Sequence, residues 1–138
     1  MEVFEKKSVD DVFVIGVNLT EAGTSFNHIV VSIRKRAETT VRSIIYTVLG
    51  MPSMGGLVIV VDDDIDIYDP FEVEWAIATR VRPDRDVTII PPGAVQRGTS
   101  GIMMQMCKWG IDATVPGNEE PWLYKKAVPP GVDRVDYV

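Results

Sequence analysis

The chain has 138 residues, near the commonest length for one domain, long enough to enclose a hydrophobic core and short for two. Its 46% hydrophobic and 25% charged residues are ordinary globular values, which excludes a disordered or fibrous class. A formal net charge of -6 opposes the phosphate backbone of a nucleic acid, and the single Cys107 excludes a disulfide-stapled scaffold and suits a reducing, cytoplasmic compartment.

Val12–Val17 is apolar at successive positions and predicts a strand covered on both faces. A polar turn over residues 19–25 leads to a second strand, His28–Ile33, rich in β-branched residues. From Glu38 the period lengthens: Val41, Ile44, Ile45, Val48 and Leu49 form the apolar stripe of an amphipathic helix, which Gly50 ends. Leu57–Val61 reads as a third strand, buried on both sides.

An acidic stretch over residues 62–69 then runs into a helix start, with Asp69 as N-cap, Pro70 as first helical residue and Glu72 as capping-box partner. Phe71, Trp75, Ala78, Val73, Ile77 and Val81 are expected to give this helix a broad apolar surface, closed by Pro83. Asp86–Ile90 predicts a fourth strand. The pattern is that of an α/β domain with a mixed sheet, approximately ββαβαβ, followed by a long irregular C-terminal segment. One domain is expected over 1–138, with an α/β core in 1–93 and an extended loop and docking tail in 94–138. No apolar run reaches the roughly 18 residues that span a bilayer, and the first residues lack the order of a secretory signal.

Motifs for chemistry are sparse. Asp62, Asp64 and Asp66 share one face of an extended chain, an arrangement open to oxygen ligation of a hard cation, yet Ile65 and Ile67 interrupt any calcium-loop spacing, and capping and loop hydrogen bonds account better for these acids. His28 is the only histidine, and no nucleophile motif surrounds Ser25, Ser32 or Cys107, so a hydrogen-bonded structural or pocket-lining role is expected for it. The turns Gly23–Ser25 and Gly98–Gly101 are not Walker-type loops, and Met103, Met104 and Met106 with Trp109 suit a contact surface.

A resemblance runs through several of these segments in order: residues 19–28 (LTEAGTSFNH), 31–35 (VSIRK), 58–66 (VIVVDDDID), 69–81 (DPFEVEWAIATRV), 83–86 (PDRD) and 108–114 (KWGIDAT). Together they resemble the C-terminal domain of UbiD-type decarboxylases, which act on aromatic and unsaturated carboxylic acids with prenylated flavin mononucleotide. The resemblance implies no catalytic residue in this chain: flavin, divalent metal and catalytic set are expected on a larger catalytic subunit or domain. It implies Lys35 as a cofactor-phosphate contact, Thr20, Glu21, Thr24, His28 and Lys108 as cleft-lining candidates, and a homo- or hetero-oligomer handling a small carboxylic acid. The chain is then either a small subunit of a split enzyme or an excised domain. A self-assembling module binding a small molecule without catalysis is the alternative, and the tail from Pro121 is expected to pack on a neighbouring subunit.

Overall fold

The computed structural model describes residues 13–24, 27–34, 38–51, 56–91, 95–97, 103–105, 107–117, 119–127 and 130. In chain order these form β1 (Phe13–Leu19), a short 3-10 turn (Glu21–Gly23), β2 (His28–Arg34), α1 (Glu38–Leu49), β3 (Leu57–Asp62), α2 (Pro70–Arg80), α3 (Pro83–Asp86) and β4 (Val87–Ile90). Then follow β5 (Val95–Arg97), β6 (Met103–Gln105), β7 (Lys108–Ala113) and a second 3-10 turn, Pro121–Tyr124.

Five strands make one sheet in the order β1-β2-β3-β7-β4, while β5 and β6 pair as a separate antiparallel ribbon. The sheet is mixed, as expected: β2, β3 and β7 are parallel, and β1 and β4 lie antiparallel at the two edges. Strands β2 and β3 are buried on both faces, which is why they read as unbroken apolar runs. Alternation divides their side chains between two cores. Ile29, Val31, Ile33, Val58 and Val60 pack with Val41, Ile45 and Leu49 of α1; Val30, Ile59 and Val61 pack with Val73 and Ala76 of α2.

The segment after residue 93 contributes more to the fold than its composition indicates. Strand β7 fills the position between β3 and β4 and sends Ile111 and Ala113 into the α2 core. Its Gly110 lies so close to α1 that a Cβ there would sit 2.3 Å from Cγ2 of Ile45. A strand of the sequence Lys-Trp-Gly-Ile-Asp-Ala has no clean alternation, and only its neighbours make it one.

Helix α2 begins where the sequence indicates, with the Asp69 carboxylate accepting from the Phe71 amide at 2.9 Å and Pro70 in the first turn. The capping box does not close: the Glu72 carboxylate accepts from the Asp66 amide at 2.6 Å, because the acidic loop curls back over the helix start. The buried stripe is Val73, Ala76 and Arg80; Phe71 and Ala78, expected to join it, turn outward, Phe71 being 73% exposed. Asp86 belongs to α3, where its carboxylate accepts from the Arg82 amide, so β4 begins one residue later than expected. Among the described residues no helix is long and apolar enough to cross a membrane.

Candidate functional site

The corner between β1 and β2 is built on backbone ties. Thr20 ends β1 and caps the 3-10 turn; its amide donates to the His28 carbonyl at 3.1 Å, and its Oγ1 accepts from the Gly23 amide at 3.2 Å. Thr24 closes the turn in the left-handed conformation, φ 51, and its amide donates to the Glu21 carbonyl. Gly23 packs directly on His28: a Cβ at position 23 would lie 2.4 Å from both Cβ and N of His28, so no side chain fits. The Asn27 carbonyl, accepting from the amides of Gly56 and Leu57, ties the corner to β3.

His28 sits at the first position of β2 with its Nδ1 2.9 Å from Thr20 Oγ1. Its Nε2 is shielded from water and has no hydrogen-bond partner among the described residues, and burial pushes the ring's pKa below the ordinary histidine value. Beside it opens a groove of about 680 Å³ between this corner, the sheet and α2. Leu19, Val30, Ile59, Ile67, Val73 and Ile77 supply its apolar walls. Thr20, Glu21 and His28 line the same groove, so three of the cleft candidates come together.

The others are placed differently. Thr24 is exposed on the outer side of the turn and is not among the groove's lining residues. Lys108 is buried on the opposite face of the sheet, where its ammonium donates to the carbonyls of Leu49 and Met51 at 3.0 and 2.9 Å and caps the end of α1. Alternation separates it from the groove: Ile111 of β7 faces α2, whereas Lys108 and Gly110 face α1. Lys35 lies outside the described residues, as do Ser25, Gly98–Gly101 and the side chains of Met103, Met104 and Met106.

At the other end of the parallel strands the acidic loop meets Arg80, whose partnership sequence reasoning missed. The Arg80 guanidinium, 1% exposed, donates to both carboxylate oxygens of Asp64 at 2.9 and 2.6 Å, to Asp62 at 3.3 Å and to the Tyr124 carbonyl at 3.0 Å. It also stacks 5.2 Å from the centre of the Trp75 ring. The bonds from Arg80 hold the Asp64 carboxyl below the usual carboxylate range. Lys126 pairs with Glu72 and the Val115 amide donates to Asp62, so the segment after β7 is strapped to α2 by charge. The signal available was a run of acids ending a buried strand with one arginine in the last turn of the next helix. Among the described residues no group of three His, Cys, Asp or Glu side chains is gathered as a metal site.

A second groove, about 440 Å³, runs between β1 and α1, walled by Val14, Val17, Leu19, Ile44, Val48 and Met51. Trp122 and Leu123 project from the strap, 65% and 57% exposed.

Comparison with known proteins gives this geometry a context. The family model described as the 3-octaprenyl-4-hydroxybenzoate carboxy-lyase C-terminal domain matches residues 2–113. An anhydromevalonate phosphate decarboxylase of Methanothermobacter thermautotrophicus is 41% identical over 108 residues, 72% of this chain and 24% of the relative. Among solved structures, the UbiD-class enzyme HmfF from Pelotomaculum thermopropionicum in complex with FMN superposes with a TM-score of 0.72 at 35% identity, over 89% of this chain and 28% of that one. An evolved dimeric form of the same enzyme, in complex with prFMN, gives 0.67 at 38% identity, over 89% and 25%. The chain thus spans about a quarter of the length of the curated relatives it matches.

Proposed function

Because this chain belongs to the carboxy-lyase C-terminal domain family of the UbiD-class enzymes, we propose that it completes a prenylated-flavin decarboxylase or carboxylase as its small subunit or C-terminal domain. The observation that supports this reading best is the pairing of a family match over residues 2–113 with a span of only a quarter of the relatives' length. A domain of this kind needs the rest of the enzyme, supplied by a larger catalytic chain.

The residues present divide the labour. The described groove holds no basic side chain to meet a flavin phosphate, the acids of the loop over residues 62–69 are largely tied to Arg80, the helix cap and turns, and no three described acids gather as a metal cluster. We therefore assign flavin and divalent metal to the larger chain, with Lys35 as this chain's one reach toward the cofactor phosphate. When bound there, the prenylated flavin supplies the electron sink for exchange of carbon dioxide at an aromatic or unsaturated acid. This chain contributes an apolar wall that excludes water from the cleft and, at its edge, the hydrogen-bonded pair Thr20 and His28.

Co-purification of the chain with flavin-domain proteins of its host tests the reading. The expected result is a stoichiometric complex whose absorption spectrum carries flavin and whose native mass is that of both chains. A colourless homo-oligomer sinks it, and favours the self-assembling module for which the apolar groove between β1 and α1 provides a surface.

A further inference from the structure

The groove beside His28 is poor in hydrogen-bond donors, which decides what it can hold. Thr20 has one hydroxyl proton and three neighbours: the Gly23 amide at 3.2 Å, His28 Nδ1 at 2.9 Å and the His28 carbonyl at 3.2 Å. All three are satisfied together only if Oγ1 accepts from the Gly23 N–H and from Nδ1–H and donates to the carbonyl. The other tautomer forms one bond fewer and buries an unpaired Nε2–H, the costlier kind of orphan. His28 is therefore a neutral ring with the proton on Nδ1, turning a lone pair toward its unpartnered side.

The remaining polar groups follow the same rule. The Asn18 side-chain amide gives one of its two N–H groups to the Ile67 carbonyl at 2.8 Å. Glu21 and Glu74 on the wall are acceptors and carry negative charge; of the described lining side chains, the Tyr68 hydroxyl and one Asn18 N–H are left to donate, both neutral. A carboxylate here meets two like charges, a lone pair and no cation, whereas an apolar body carrying an ammonium or guanidinium meets matching walls and charge. Tyr68 and Phe71, 71% and 73% exposed, extend the apolar surface at the start of α2.

We propose that this groove seats an apolar segment of the larger catalytic chain bearing a lysine or arginine between Glu21 and Glu74, and that the substrate's carboxylate is held elsewhere. The inference rests on the split-enzyme reading and adds the chemistry of the docking segment. It assigns Glu21 and Glu74 as the charged contacts and His28 as a neutral part of the same wall.

The test has two arms. In the first, the full chain labelled with nitrogen-15 is titrated with n-hexylammonium and with hexanoate. His28 is expected to show a protonated Nδ1 and a bare Nε2, and hexylammonium to bind about tenfold more tightly than hexanoate, as two surface ion pairs allow. The difference should vanish in the Glu21→Gln/Glu74→Gln variant. Hexanoate binding equally or better makes the groove a carboxylate subsite and overturns the proposal, as does silence of the groove resonances with both probes. In the second arm, Glu21→Lys/Glu74→Lys should lose the flavin-bearing chain that the unaltered chain retains; an intact complex overturns the docking role. If the unaltered chain retains no flavin-bearing partner at all, the split-enzyme reading fails, while the first arm still reports the groove's chemistry.

Discussion

The two ends of the parallel strands solve the same problem, anchoring a loop on the α2 side of the sheet, with opposite chemistry. At the carboxyl end Arg80 gathers Asp62, Asp64 and the Tyr124 carbonyl round a buried charge. At the amino end Thr20, Gly23 and His28 form a corner from neutral hydrogen bonds and one close backbone approach. At the charged end the polar groups are largely spent on each other, and the strap borders a smaller groove of about 380 Å³. The neutral end leaves a groove of about 680 Å³ with acceptors unspent. The lesson is that the conspicuous cluster of charges is tied up within the fold, while the quiet corner has the roomier groove.

Breaking the charged end should have the largest effect. Arg80→Ala removes the guanidinium that joins Asp62 to Asp64, and with it the tie to the strap. Because Asp64 is half exposed, solvent recovers part of the loss, and the expected cost is about 3 kcal/mol, the lower end for breaking a buried pair. Urea unfolding followed by circular dichroism measures it; a cost below about 1 kcal/mol would show that the clamp is incidental. Limited proteolysis should at the same time find the chain after Val115 newly accessible.

Strands β2 and β3, both long helices and the Asp69 cap were legible because each rests on local rules: unbroken apolar runs, a 3.6-residue stripe, a capping residue before proline. Strand β7 was not, because what makes Lys108–Ala113 a strand is the slot between β3 and β4, a long-range fact that its composition does not carry. Arg80 escaped for the same reason, since its acids stand 16 and 18 positions earlier in the chain. Of the candidate site, Thr20, Glu21 and His28 were brought together, while Lys108 was sent to the opposite face by the alternation of its own strand. The resemblance located the right stretch of chain but not which way each side chain points.

Acid should separate the two ends further. His28 titrates in the folded chain below its unfolded value, so the neutral corner contributes stability that is fully present above about pH 6.5 and is lost as pH falls through the lowered folded value. Asp64 is likewise depressed, but from a carboxylate's starting point, so the clamp holds until pH falls below about 4. Between these values the corner should loosen while the clamp stays shut. Proton resonances of His28 report the first, and fluorescence of Trp75, stacked on Arg80, helps report the second. Simultaneous loss of both signals near pH 4 would mean that His28 is not the weaker point and that the two ends unfold as one unit.

The smallest effect expected is also the most specific. Thr20→Val keeps the shape of the side chain and removes the oxygen that accepts from Gly23 and faces Nδ1 of His28. Loss of an N-cap and its side-chain bonds costs about 1 kcal/mol. A purely packing role for Thr20 predicts that and nothing more. The hydrogen-bond arrangement predicts in addition that the His28 ring, released from its one polar partner among the described residues, becomes a mixture of tautomers, visible in its nitrogen-15 shifts. Thr20→Ser, which restores the oxygen without the methyl group, should return the single tautomer. If serine fails to restore it while stability recovers, the orientation of His28 is set by the Gly23 contact and not by the hydroxyl.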